Sequence, residues 1–134
     1  MSAADLTKQT IVAKTKELAA QKSFEKLSVI EITRHCGISR NTFYYYFKDK
    51  YSVIEWIFQT EIVPILTPCM NQSHWSESVI ALCEKMKREK DFYTSVLYDQ
   101  DCRCLRQLLI DYYKVFLMEA AREHCEYIHI PVES

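Results

Sequence analysis

Arg40, Asn41 and Thr42 are three consecutive polar residues whose side chains suit contacts with the edges of nucleic-acid bases. A guanidinium group can bind O6 and N7 of guanine together, and a side-chain amide can bind adenine in the same two-point manner. Ser39, just before them, is a candidate N-cap, which would put all three in the first turn of a helix. We therefore predict that these three residues contact bases.

The six cysteines raise the question of a metal or thiol site. Cys102 and Cys104, together with Asp99, Asp101 and His124, offer ligands that could bind a soft metal ion. The other cysteines are scattered at spacings that match no zinc template. We therefore predict buried, free cysteines and no metal site. A thiol or metal sensor at Cys102 and Cys104 remains a third functional hypothesis.

No combination of residues indicates catalysis. The chain has no nucleophile beside a base, no paired carboxylates in a rigid context and no metal motif. A glycine-rich phosphate loop is excluded, because the sequence contains one glycine. We predict that the protein is not an enzyme and needs no cofactor.

The composition favours one helical globular body. The chain has 134 residues, of which 49% are hydrophobic and 26% are charged, as in folded domains. One glycine and three prolines are too few for a turn-rich sandwich or barrel. No apolar stretch approaches the roughly 20 residues that cross a bilayer, and the N-terminus lacks signal-peptide features. We expect an all-α, cytoplasmic protein without a membrane partner.

The two halves of the chain differ in charge. Residues 1–60 contain nine Lys and Arg against six Asp and Glu, whereas residues 61–134 contain eight against twelve. This distribution indicates an anion-binding face in the first half.

Helical spacing of apolar residues predicts four helices in the first half, over about 5–21, 28–36, 40–47 and 50–62. Ser28 with Glu31 forms a capping box at the start of the second helix. Asp49 is the candidate N-cap of the fourth helix, and Pro64 and Pro68 are expected to bracket its end.

The second half predicts three further helices and a loose tail over 128–134. Val79, Leu82, Cys83 and Met86 would share the buried face of the first, and Asp91 would cap the second. A long apolar stripe predicts the third helix over about 101–127.

Helices two and three are separated by Gly37-Ile38-Ser39. Two helices joined by a three-residue turn containing glycine are typical of the helix-turn-helix, whose second helix enters the major groove of DNA.

The stretch from Phe24 to Phe58 closely resembles the DNA-binding domain of the tetracycline-repressor family of bacterial transcription regulators. The resemblance rests on the capped helix at Ser28, the turn 36–39, the run 42–47 and Lys50 at the start of the next helix. The run NTFYYYFKDKYSVIEWIF is most similar to the branch that includes regulators of dihydroxyacetone kinase operons. Two features depart from the family pattern: Tyr46 stands where histidine is frequent, and the second half is short.

The resemblance implies a three-helix DNA-binding domain over residues 1–62 and a short helical effector-binding and dimerisation bundle over 63–134. It implies contacts with DNA phosphates by Tyr44, Tyr45, Lys48 and Lys50, to which the helix N-terminus at Ser28 would add one. Tyr46 would contact a base or a phosphate. Aromatic and methionine side chains of the second half could line an effector pocket or simply form core; the candidates are Trp56, Met86, Tyr93, Tyr112 and Phe116.

The principal hypothesis is a ligand-responsive repressor that binds a palindromic operator on double-stranded DNA as a homodimer and responds to a small-molecule effector. The alternative is a co-activator or interaction module that depends on a partner protein and does not bind DNA alone. The modest positive charge of the first half and the short second half motivate this alternative.

Overall fold

The computed structural model describes residues 2–67, 75–99 and 105–127. These ranges are helical with short connections and contain no strand, so the predicted all-α class is confirmed. The helices are α1 (Ala3–Gln21), α2 (Val29–Cys36), α3 (Arg40–Tyr46), α4 (Lys50–Ile57), α5 (Val63–Leu66), α6 (Trp75–Arg88), α7 (Lys90–Leu97) and α8 (Leu105–Tyr127). None of the described helices has the length and apolarity to span a membrane. The tail 128–134 lies outside the described residues.

Ser28, Ser39 and Asp49 each cap the helix that follows, as predicted. Each side-chain oxygen accepts a hydrogen bond from the backbone N–H three residues later, at 3.2, 3.1 and 2.8 Å respectively. A helix start leaves such N–H groups without an intrahelical partner, so these bonds fix where α2, α3 and α4 begin.

α2 ends at Gly37, whose φ of 69° lies in the left-handed region that favours glycine. The Gly37 N–H donates to the Arg34 carbonyl at 3.3 Å, and the Ile38 N–H donates to the Thr33 carbonyl at 3.1 Å. These two bonds close the C-terminus of α2 and redirect the chain into α3.

The core of the first half is built on α1. Ile11 of α1 is fully buried, as are Ile32 of α2, Phe43 of α3 and Val53 of α4. One apolar residue from each helix therefore meets the others in a common core, which fixes α3 on the surface of the bundle.

The helical run that begins with α4 continues beyond the expected bound at about residue 62 and includes Pro64. Residues 58–62 form a π-helical turn in which the Val63 N–H donates to the Phe58 carbonyl, five residues back. The helix then resumes with Pro64 in the first turn of α5, where its missing N–H and its ring are tolerated. The predicted division at residue 62 falls within this helical run and stays a prediction.

α7 packs along α1 and buries Phe92, Tyr93 and Val96. α7 begins at Lys90, and no side chain caps it, so the prediction that Asp91 is its N-cap is wrong. Asp91 instead lies in the first turn of the helix.

The buried face of α6 is rotated from the predicted one. Leu82 is buried and Met86 packs partly buried against the core, but Cys83 is exposed. The buried edge follows Ser78 and Leu82, one turn apart, and directs Cys83 to the opposite side.

Candidate nucleic-acid interface

α3 has one buried and one exposed side. Phe43 and the following residue Phe47 are 0% and 4% exposed, and Phe47 packs edge-on against Trp56 of α4 at 6.5 Å between ring centroids. Arg40 and Asn41 are exposed on the first turn. The aromatic side therefore anchors α3 and leaves its polar side open to a partner.

The three residues predicted to contact bases differ in their exposure and in their hydrogen bonds. Arg40 and Asn41 are exposed, whereas Thr42 is half-buried and its Oγ1 lies 3.0 Å from the Oγ of Ser39. The Thr42 hydroxyl is thus engaged with the cap of its own helix. Its methyl group remains the part suited to an apolar base contact.

Tyr44 and Tyr45 are among the exposed large side chains, at 52% and 81%. Tyr45 stacks edge-on against Tyr46 at 4.9 Å between centroids, and the Lys8 ammonium of α1 lies 5.9 Å from the centroid of the Tyr46 ring. Sequence reasoning missed Lys8, because no local pattern brings α1 to the end of α3. The arrangement places an ammonium group beside the exposed tyrosines.

Lys48 and Ser28 flank the helix-turn-helix. Lys48 is exposed in the connection between α3 and α4. The hydroxyl of Ser28 caps α2 and also lies 3.3 Å from the Glu31 carboxylate. A hydrogen bond from Lys22 is the main cause that lowers the pKa of Glu31, so this carboxylate is charged and opposes an anion at the same helix start.

Lys50 is committed to partners inside the protein. Its ammonium group donates hydrogen bonds to the carbonyls of Phe24, Glu25 and Leu27 at 2.7, 2.9 and 2.9 Å. An ammonium group has three N–H donors, so none is left for a phosphate. These bonds favour a role for Lys50 inside the protein, and its contact with a DNA phosphate stays a prediction.

Two surface grooves lie between α1 and α7, and none of the candidate effector residues lines either of them. Trp56 belongs to the core under α3, Met86 packs partly buried, and Tyr112 stacks edge-on against Phe58 at 6.1 Å between centroids. Tyr93 is 2% exposed, and burial is the main cause that raises the pKa of its hydroxyl, which remains neutral. The Phe116 side chain lies outside the described residues.

Four charged side chains form a closed ring that joins α1 to the C-terminal helices. Lys16 donates to Glu61 and to Glu89, both at 2.6 Å, and Lys85 donates to the same two carboxylates at 2.9 and 2.8 Å. We call these four residues the charge ring. Burial opposes the charged form of Glu89, but the bonds from Lys16 and Lys85 outweigh it and hold its pKa below the ordinary value.

Within the described residues no group of three His, Cys, Asp or Glu side chains could hold a metal ion. Cys36 is half-buried, and burial raises the pKa of its thiol. Cys102 and Cys104 lie outside the described residues.

The two helices α2 and α3, the left-handed turn at Gly37 and the open polar side of α3 define a helix-turn-helix protein. Residues 11–56 match the family model of bacterial regulatory proteins of the tetR family. This match and the relative described below confirm the resemblance predicted from the helix-turn-helix residues.

The chain is also similar to a curated protein of Lactococcus lactis subsp. lactis (strain IL1403), the HTH-type dhaKLM operon transcriptional activator DhaS. The two are 26% identical over 89 residues, which are 66% of this chain. The match covers 48% of the relative, so the chain spans about half the length of the curated protein.

Proposed function

We propose that the protein binds double-stranded DNA by placing α3 in the major groove, and that it regulates transcription from the site it occupies. The two-sided character of α3 carries this proposal. Phe43 and Phe47 hold the helix on the core, while Arg40 and Asn41 project from its first turn. A rigidly anchored helix with a free polar side is what base reading requires.

In this proposal Arg40, Asn41 and Thr42 contact bases, and Tyr44, Tyr45, Lys48 and the N-terminus of α2 at Ser28 contact phosphates. Tyr46 contacts a base or a phosphate with the Lys8 ammonium beside it. Lys50 is removed from the phosphate set, because its protons are directed at backbone carbonyls.

We further propose a two-fold dimer that reads a palindromic operator, with its two reading heads about 34–36 Å apart or a multiple of that distance. Ile110 and Leu117, two turns apart on one face of α8, are 51% and 61% exposed, and an exposed apolar face on a helix favours self-association. The residues 63–134 would then serve dimerisation and effector binding.

A responsive effector site is supported by two tyrosines. The hydroxyls of Tyr93 and Tyr113 are buried and have no hydrogen-bond partner among the described residues. Buried polar groups in native proteins are normally paired, so each of these hydroxyls is a candidate donor to a small polar ligand. The family resemblance favours repression, whereas the relative from Lactococcus is named an activator.

The cytoplasmic location stays a prediction.

The test is a titration of the protein with two DNA duplexes at several salt concentrations. One duplex is enriched by the protein from a random pool, and the other is a scrambled sequence of the same composition. The mass of the protein is measured both free and bound to DNA. Selective binding as a dimer supports the proposal, and a reporter carrying the enriched site then separates repression from activation. Equal weak binding to both duplexes overturns the proposal and favours the partner-dependent interaction module.

A further inference from the structure

The connection between α1 and α2 is held by Lys50 from the start of α4. Residues Phe24–Lys26 form a 3₁₀ turn, and its Phe24 and Glu25 carbonyls, with that of Leu27, all face the Lys50 ammonium. The Phe24 carbonyl also accepts from the Leu27 N–H at 3.1 Å, and the Lys50 ammonium adds donors at this end of the short helix.

Aromatic rings complete the setting of this ammonium group. The Lys50 Nζ lies 4.8 Å from the centroid of the Phe24 ring and 5.3 Å from that of Tyr51. The Phe24 ring is fully buried and meets Tyr51 edge-on at 5.7 Å between centroids. Lys50 is therefore fixed in position by three hydrogen bonds and by two π faces.

The same connection is held on its other side by α7. The Phe24 N–H donates to the Ser95 hydroxyl at 2.8 Å, and this hydroxyl donates to the Lys22 carbonyl at 3.2 Å. Phe24 thus contacts α7 through its N–H and α4 through its carbonyl. These contacts on both sides fix the connection and therefore the position of the residues that follow it.

Those residues begin α2. Leu27 is 2% exposed, and Ser28 caps α2 directly after it. Since α2 and α3 are joined by a rigid turn at Gly37, the position of Leu27 and Ser28 sets the position of the reading helix relative to α4.

We propose that Lys50 is a positioning residue for DNA reading, which clamps the carbonyls of Phe24, Glu25 and Leu27 and so fixes the start of α2, and with it α3, relative to α4. This inference rests on the proposed function. In this proposal Lys50 affects DNA binding by fixing the position of α2 and α3, and it does not contact the nucleic acid.

The first variant is Lys50→Met, which keeps the stem and removes the three donors; the matched control is Lys48→Met on the exposed neighbour. We expect Lys50→Met to lower affinity for the enriched duplex about tenfold, as when one base contact is misplaced, with a smaller loss on scrambled DNA. Its salt slope should equal that of the wild type, whereas Lys48→Met should lower the slope by about one unit on both duplexes. A slope lowered by one unit in Lys50→Met, or an affinity for the enriched duplex within about twofold of wild type, would overturn the proposal.

The second variant, Lys50→Arg, separates a clamp from a charge. A planar guanidinium does not reproduce the arrangement in which three donors on one nitrogen meet the three carbonyls, but it binds phosphate well. We expect Lys50→Arg to lose selectivity as Lys50→Met does; wild-type selectivity in Lys50→Arg would overturn the clamp.

Amide hydrogen exchange tests the hydrogen bonds of Lys50 without DNA. This test therefore applies even if the wild-type protein binds no duplex. We expect faster exchange at the Leu27 and Ile32 amides in both Lys50 variants than in Lys48→Met. Unchanged exchange at these amides would show that Lys50 does not hold the connection.

Discussion

Glu61 and Lys16 link the π-helical turn to α1 through one of the two 2.6 Å contacts of the charge ring. The Oε1 of Glu61 accepts from the Lys16 ammonium at 2.6 Å and from the Lys85 ammonium at 2.9 Å. Glu61 lies in the π-helical turn before Pro64, so this irregular turn aims the carboxylate between α1 and α6. The four side chains are 13–29% exposed, which reduces screening by salt.

Replacing Glu61 with glutamine should destabilise the fold. The variant keeps the shape of the side chain but leaves Lys16 and Lys85 with one charged acceptor fewer in a partly buried site. We expect the free energy of unfolding to fall by about 1–3 kcal/mol, measured by urea denaturation.

The matched control is Lys14→Met, which breaks the pair with Glu17 on α1. That pair is 3.4 Å long, with side chains 38% and 48% exposed, so a change of about 0.5 kcal/mol or less is expected. Equal losses in the two variants would show that the charge ring contributes no more than a surface pair.

The charge ring should make stability depend on pH in the acid range. The pKa of Glu89 lies below its ordinary value of 4.5, so its stabilisation is complete above that pH and is lost as the pH falls through the lower, folded value. The Glu89→Gln variant should therefore lose less stability than the wild type on acidification. Urea unfolding at a series of pH values measures this loss. An equal loss of stability in the variant and the wild type at acid pH would exclude Glu89 as the cause of the pH dependence.

The parts of the fold that the sequence predicted are set by close neighbours along the chain. The caps at Ser28, Ser39 and Asp49 each use an N–H three residues away. The turn at Gly37 needs a left-handed backbone, which one residue type supplies readily. Such signals need no knowledge of tertiary packing, and together they located the helix-turn-helix.

The features that the sequence did not predict depend on distant residues. Lys50 meets Leu27 across 23 positions, and Lys16 meets Glu89 across 73. A lysine near a reading helix has the same local sequence whether it binds a phosphate or a set of carbonyls. The π-helical turn before Pro64 buries Phe58 and Ile62 in the core, and the local sequence gives no signal of that packing.

Gly37→Ala should destabilise the protein through backbone strain alone. A Cβ atom at this position would meet nothing within 4 Å, so the cost comes from the φ of 69°. We expect a loss of about 1–2 kcal/mol in the free energy of unfolding, since an L-residue is disfavoured by that amount in the left-handed region.

Gly37→Asn is the control for that prediction. Asparagine tolerates the left-handed region better than alanine, so its loss should be smaller when both variants are measured by urea denaturation. A loss in Gly37→Asn as large as that in Gly37→Ala would mean that something other than φ sets the cost.

Arg40→Ala and Lys48→Ala should separate base reading from phosphate binding. Both side chains are exposed, so neither change should alter the fold. Arg40→Ala should cost about 1–3 kcal/mol on the enriched duplex and relax the preference at one base pair, because a guanidinium reads base edges directly. Lys48→Ala should weaken enriched and scrambled DNA alike and lower the salt slope by about one unit, because it releases one fewer counterion. Titrations of both variants at several salt concentrations measure this, and equal losses for Arg40→Ala on both duplexes would place Arg40 on the phosphate backbone rather than on a base.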